Sequence, residues 1–426
     1  RVLQFATFSF DGFIEQFFPP LACGACVVLR DLRLWDTATL LDEINRHGVT
    51  VADLPAAYWR LLALERRAPE AYGRLKQIHV GGEAVPEDAL RAWLADGPPA
   101  VRLLNTYGPT EATVVATTYD CSQMTEQQIS LCGVPIGRAL PGRSLHALDD
   151  GLAPTPVGVP GELFIGGAGC LARGYHQRPS LTAERFIPDP FDPVGGGRLY
   201  RTGDLGYYDE NGQLAYRGRV DHQVKVRGFR IELGEIEQYL RAHPDVREAT
   251  VLAIDLPSGK QLCAYAVPAE GHSGDLRMAL KQYLKASLPD YMIPSYLVTL
   301  PSMPLTPSGK LDRKALPLPD PSQPQHDYEA PQTERQQQLA ALWAQLLNVA
   351  RVGLNDNFFE LGGHSLLAAQ AVSRINVELG LDVPLRLIFS HPELRAFAQA
   401  LDEQGLSLSD DGLSDIEQMM NAFTEA

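Results

Sequence analysis

The stretch Tyr200–Glu237, YRTGDLGYYDENGQLAYRGRVDHQVKVRGFRIELGEIE, gathers Arg217, Arg219, Lys225, Arg227 and Arg230 in a chain whose net charge is −15. Local positive charge in an acidic protein points to a ligand that carries phosphate. Asp204 and Asp221 lie on either side of a turn signalled by Glu210, Asn211 and Gly212, because Asn-Gly takes up positive φ at little cost and the aromatic segments around it can pair as strands. Upstream, NTYGPTE (Asn105–Glu111) brings hydroxyls, a ring and a carboxylate into one glycine–proline loop after an apolar run. The carboxyl end of a sheet strand is where α/β proteins hold ligands. Asp11 and Glu15 are four residues apart, so a helix turns both acids to one side. Lys310, in PSGKLDR, and Ser365, in LGGHSLL, sit in or beside glycine-bearing loops, and a serine ahead of a helical pattern is a natural N-cap.

These groups need elements to position them. Leu40–Arg46 is helical in pattern, VTVADLPAAYWRLLALE reads as strand, proline turn and helix, and RLKQIHVGGEAV as strand and glycine turn before a helix over Glu87–Leu94. Strands alternating with helices indicate a parallel, doubly wound sheet. From Pro135 to Gly218 glycine and proline become frequent and strands short, which suits a small β-rich part. After Asp221 the pattern is α+β, with helices over Gly234–Ala242 and Leu276–Ser287 and strands such as EATVLAI and QLCAYAVP. LPLPDPSQPQHDYEAP is a stiff, proline-rich linker. Thr333–Leu347, the segment after Ser365 and HPELRAFAQAL then repeat helical periodicity and predict a four-helix bundle. The domain boundaries expected are 1–220, 221–316, a linker 317–330, a bundle 331–404 and an acidic tail 405–426 with a short helix at Ser414–Phe423.

At 426 residues and 46.7 kDa the chain can hold two or three cores, and 45% hydrophobic with 21% charged residues is ordinary globular composition. The negative charge argues against nucleic acid and anionic membranes as partners. With no apolar run of membrane-spanning length and no signal-peptide pattern at RVLQFATFSFDGF, a cytoplasmic location is expected. The 6 cysteines are scattered, and Cys23-x-x-Cys26 in LACGACVVL reads as packing rather than redox chemistry.

YRTGDL with GRVDHQVKVRGFRIELGEIE closely resembles two signature motifs of the adenylation domains of non-ribosomal peptide synthetases, in the adenylate-forming superfamily. FSFDGFIEQFFPPLACGACVVL, GELFIGGAGCLARGYHQRP, LPDYMIP and LTPSGKLDRKAL resemble further motifs of that family, with Ser308 where asparagine is more usual, and DNFFELGGHSLLAAQ resembles the attachment site of peptidyl carrier proteins. The family's Ser/Thr/Gly/Lys phosphate loop has no counterpart in the sequence, so the chain reads as the second half of an adenylation core, its small mobile subdomain and a carrier. The resemblance implies activation of an amino acid with ATP and Mg2+ and its transfer to a 4′-phosphopantetheine thiol. Tyr107 would stack on adenine, Thr110 contact phosphate and Glu111 hold Mg2+, with Gly81, Gly82 and Asn105 beside the nucleotide and Asp204 and Arg219 on the ribose. Lys310 would neutralise charge between the attacking carboxylate and the α-phosphate. Asp221 would be the hinge, the Gly228 region would line the thiol's tunnel, and Ser365 would carry the arm.

For the amino-acid pocket the resemblance implies Asp11 on the α-ammonium, with Gly12, Glu15, Asp53, His79, Gly81, Thr106, Val114 and Val115 around the side chain. Two extra carboxylates in an apolar pocket are costly unless paired, so a basic side chain is expected: lysine first, then ornithine, 2,4-diaminobutyrate or β-lysine. Implied partners are a phosphopantetheinyl transferase, neighbouring condensation or thioesterase domains, and an MbtH-like protein. An acyl-CoA ligase shares the adenylation motifs, but Asp11 and the Ser365 module count against it; a carrier or docking unit without adenylation is the remaining alternative.

Overall fold

The computed structural model describes residues 1–404 except 32–34, 222, 227–228, 257–258, 271–275, 307–310, 320–327, 360, 364 and 382. Lys310, Gly228 and the expected tail helix therefore lie outside the described residues. The chain forms two compact units, Arg1–Pro317 and Leu318–Ala426.

The first unit begins with β1 (Val2–Gln4), α1 (Gly12–Ala22), β2 (Val27–Leu29), α2 (Thr37–His47), β3 (Val51–Pro55), α3 (Ala56–Leu64), β4 (Gln77–Gly81), α4 (Glu87–Asp96), β5 (Arg102–Tyr107), β6 (Thr117–Asp120), α5 (Glu126–Cys132) and β7 (Arg138–Ala139). These strands make one sheet of order β2-β1-β3-β4-β5-β6-β7. β2, β1, β3, β4 and β5 run parallel, as the strand–helix alternation predicts. β6 and β7 are antiparallel, a departure from the all-parallel expectation. The physical reason at β6 is the short Gly108–Ala116 connection, which suits a return strand but not a crossover.

Side-chain alternation sets up the site. Ile78 and Val80 of β4 are fully buried in the core, so Gln77, His79 and Gly81 turn to the other face. Register places Asp53 beside His79 and Pro55 beside Gly81 on that face. The α1 end and the glycine turn occur as expected, with Gly24 at φ +73. Cys23 and Cys26, however, are exposed rather than packed, because the turn lies against β2, the edge strand.

β8 (Ser144–Leu148), β9 (Gly161–Gly166), α6 (Pro179–Arg185), β10 (Phe186–Pro188), β11 (Arg198–Tyr208) and β12 (Leu214–Arg219) follow. Their strands form an antiparallel sheet of order β10-β11-β9-β8, with β12 on β11. Gly212, at φ +68, turns β11 into β12, and the register then sets Asp204 opposite Arg219. Next come the hairpin β13 (Val224–Val226) and β14 (Phe229–Ile231), then α7 (Leu233–Ala242), β15 (Val246–Leu256), β16 (Gly259–Pro268), α8 (Leu276–Lys285) and β17 (Tyr296–Thr299). Ile236, Leu240, Val251, Ala264, Leu280 and Leu284 form the core of this α+β part.

The second unit holds α9 (Glu334–Leu347), α10 (Ser365–Leu379), α11 (Arg386–Ser390) and α12 (Leu394–Gln404). A capping box between Thr333 and Gln336 starts α9, satisfying backbone donors that the helix leaves without partners. Trp343, Phe358 and Phe397 are fully buried, with Trp343 edge-on to Phe358 at 5.0 Å. Gly363, two residues before α10, is packed so tightly that a Cβ would stand 2.4 Å from both Phe358 Cδ1 and Phe358 O. Gly363→Ala is expected to destabilise this unit by about 1–3 kcal/mol through overpacking; hydrogen exchange of α9 and α10 amides measures it. Among the described residues no helix is long and apolar enough to cross a membrane.

Candidate active site

Three elements build the first part of the site. Asp11 precedes α1 and accepts a hydrogen bond from Thr110 Oγ1 at 2.5 Å. Glu15 from α1, Asp53 from β3 and His79 from β4 present donor atoms that all lie within 4.8 Å of one another. Burial, then the charges of Asp53 and Asp11, push the Glu15 carboxyl up to about 7. Burial likewise raises Asp53, against the opposing pull of His79 and of a hydrogen bond from Gln16. Burial lowers His79, so its ring is neutral near pH 7. Gln77 Nε2 lies 2.6 Å from His79 Nε2, an amide donor on a ring acceptor. That leaves the ring proton on Nδ1, the nitrogen 4.0 Å from Glu15 Oε1. The two carboxylates can accept from a cation's donors, whereas a ring nitrogen that carries its proton offers a lone pair neither to a metal ion nor to an ammonium. Gly81 leaves room, since a Cβ there would meet Thr106 Oγ1 at 2.4 Å, and Gly82 turns the chain away at φ +83.

The loop after β5 carries strain. Thr113 and Val114, both β-branched, adopt φ of +62 and +64, which costs on the order of 1–3 kcal/mol each. Arg143 holds the loop there by donating to the carbonyls of Ala112 and Thr113, while Thr113 Oγ1 donates to Cys170 O at 2.6 Å. Val115 N returns to Thr113 O at 2.9 Å. Val114 and Val115 are thus set by backbone geometry that no local pattern announces.

Tyr107, Asp204, Arg219 and Asp221 form a polar chain, buried at Tyr107 and Asp204 and half-buried at Arg219 and Asp221. Tyr107 donates to Asp204 Oδ2 at 2.6 Å, and Arg219 Nη1 donates to Asp204 Oδ1 at 2.7 Å. Arg219 also grips Asp221 with two bonds of 2.6 and 2.8 Å, so the expected hinge residue is anchored to the expected ribose residue. Burial, and then Asp204, hold the Tyr107 hydroxyl well above its ordinary range. Lys225 Nζ stands 6.0 Å from the Tyr107 ring centroid. Asn105 is not drawn into this chain: its amide donates to Pro135 O at 2.7 Å. Tyr107→Phe should cost about 1.5–3 kcal/mol, since it removes a bond to a charged acceptor; denaturant unfolding checks it.

Glu111 receives Tyr175 Oη on Oε1 at 2.7 Å and Arg230 Nη1 on Oε2 at 2.8 Å. Burial alone would raise its carboxyl, but Arg230 and the hydroxyls of Tyr175 and Tyr200 outweigh burial and hold it below the usual value. An ionised oxygen donor of this kind fits Mg2+. Arg143, Tyr175 and Tyr200 make contacts at the candidate site that motif reading gave no role, and Arg230, read there only as one cation of the charged stretch, is the partner of Glu111.

Residues 1–176 match the family of AMP-binding enzymes, 235–310 the AMP-binding enzyme C-terminal domain, and 337–401 the phosphopantetheine attachment site. A linear gramicidin synthase of Brevibacillus parabrevis is 45% identical over 94% of this chain, which spans 5% of that protein. A dimodular nonribosomal peptide synthase of Bacillus subtilis is 43% identical over 94% of the chain, which spans 16% of it. The chain thus covers a small part of these curated relatives. Among solved structures, holo-PA1221, an NRPS protein containing adenylation and PCP domains bound to a vinylsulfonamide inhibitor, superposes with a TM-score of 0.77 and 31% identity. That match covers 95% of this chain and 66% of the other.

Proposed function

Because the chain belongs to the AMP-binding enzymes, in the adenylation–carrier arrangement of nonribosomal peptide synthetases, we propose that it converts lysine or another basic amino acid to its aminoacyl adenylate and passes it to its own carrier. In the first step the substrate carboxylate attacks the α-phosphorus of ATP, the P–O bond to the β-phosphate breaks, and pyrophosphate leaves. The arm on Ser365 supplies the thiol that takes the acyl group, with AMP as leaving group.

The chain's own residues divide the work. Asp11 exchanges the Thr110 hydroxyl for the substrate α-ammonium, which frees Thr110 to donate to phosphate. Tyr107 offers its ring to adenine, and Asp204 offers its carboxylate oxygens to the ribose hydroxyls. Glu111 would hold Mg2+, which supplies charge neutralisation on the phosphates. Lys310 brings positive charge to the α-phosphate; Asp221 is the hinge, and the Gly228 region lines the thiol's path. A phosphopantetheinyl transferase loads Ser365, and condensation or thioesterase neighbours and an MbtH-like protein are the partners this reading assigns.

The cluster of Glu15, Asp53 and His79 beside Asp11 carries the choice of a basic substrate. A neutral side chain would leave the half-buried Glu15 and Asp53 without a cation, so that each must either take up a proton or stay ionised at a cost. Pyrophosphate exchange across an amino-acid panel, run on the full-length polypeptide that contains this chain, should show lysine or a shorter diamino acid preferred. A neutral amino acid at the top of the panel would overturn the assignment. ATP binding and exchange by the isolated chain decide between an adenylating unit and a carrier or docking unit.

A further inference from the structure

Gln16 is a buried polar residue of α1, 4% exposed, that no motif marks. Its Oε1 accepts from the backbone N–H groups of Phe5 at 2.7 Å and Ala6 at 2.8 Å. Its Nε2 donates to Asp53 Oδ2 at 3.2 Å and to Asp53 O at 3.4 Å. The amide has one possible orientation here. Turned over, it would set its NH2 against two N–H donors and its oxygen against a carboxylate and a carbonyl, leaving buried groups unpaired.

We infer that Gln16 is a specificity-positioning residue: anchored by Phe5 and Ala6, it holds Asp53 Oδ2 so that Oδ1 and Glu15 are presented to the terminal ammonium of a basic substrate. This rests on the basic-pocket reading of the previous subsection. The bond from Gln16 also works, after His79, against the burial that raises Asp53. The link spans 37 residues and joins the helix that bears Gly12 and Glu15, and that Asp11 precedes, to the strand that bears Asp53. One amide thereby sets the spacing of the acids that face the substrate.

Gln16→Glu separates this role from a structural one. The new carboxylate still accepts from Phe5 N and Ala6 N, but it offers Asp53 no donor and adds a like charge. Pyrophosphate exchange on the full-length polypeptide is compared for lysine and norleucine, its neutral counterpart. Expected are a KM for lysine raised at least tenfold, kcat changed less than threefold, and norleucine kinetics within twofold of the parent. If lysine and norleucine kinetics both stay at parental values, or if both substrates lose activity equally, the positioning role is overturned. Should Gln16→Glu not fold, Gln16→Met is judged by the same lysine-to-norleucine ratio. A parent enzyme that does not prefer lysine to norleucine overturns the basic-pocket reading itself, and the two failures are thereby told apart.

Discussion

Ser365→Ala is expected to abolish the mass gain expected of the parent chain on incubation with coenzyme A and a phosphopantetheinyl transferase, and with it all thioester loading. The effect is total because the serine oxygen bonds to the pantetheine phosphorus of coenzyme A as its pyrophosphate bond breaks and adenosine 3′,5′-bisphosphate leaves, and alanine has no oxygen to give. Backbone structure favours this position. Ser365 is the first residue of α10, preceded by Gly362 at φ +95 and by Gly363 wedged against Phe358. Gly363 is therefore held by the bundle core, and the positive end of a helix is a favourable place for a phosphate. Ser373→Ala, on the same helix, should keep the full mass gain. Intact-protein mass spectrometry reads both variants.

Glu15→Gln should raise the KM for lysine by roughly a hundredfold, since breaking a buried charge pair costs about 3 kcal/mol or more. The sign of the pH dependence follows from its environment. The Glu15 carboxyl goes from 4.5 when solvated to about 7 in the folded chain, pushed first by burial and then by Asp53 and Asp11. Its contribution to stability is present below about pH 4.5 and is lost as pH rises through about 7, because the folded state binds the proton more tightly. A bound ammonium reverses that loss by pairing with the ionised form. The rise in melting temperature produced by lysine should thus grow between pH 6 and pH 8 in the parent and stay flat in Glu15→Gln. A flat response in both would remove Glu15 from the ammonium site.

Much of this was legible in the sequence, for identifiable reasons. The Asn-Gly turn, the strand–helix alternation and the helical periodicity after Thr333 are local signals, and the elements they announce are present. The direction of β6 and β7 was not legible, because alternation of element types carries no strand direction. Exposure of Cys23 and Cys26 was missed for a related reason: apolar neighbours in sequence say nothing about which edge of a sheet a turn occupies. The contacts that complete the site are longer in range still. Gln16 meets Asp53 across 37 residues, Tyr107 meets Asp204 across 97, and Arg230 meets Glu111 across 119. Asn105 shows the same reach, since the amide of this motif residue donates to Pro135 O, a partner that no motif announces.

The ion pair between Arg230 and Glu111 has a consequence for timing. A carboxylate offers about four lone-pair sites, so a divalent ion could join Arg230 and Tyr175 at Glu111, but it would crowd a second positive charge against the guanidinium. A metal at Glu111 would therefore weaken the hold on the hairpin that bears Arg230, and its departure would tighten that hold.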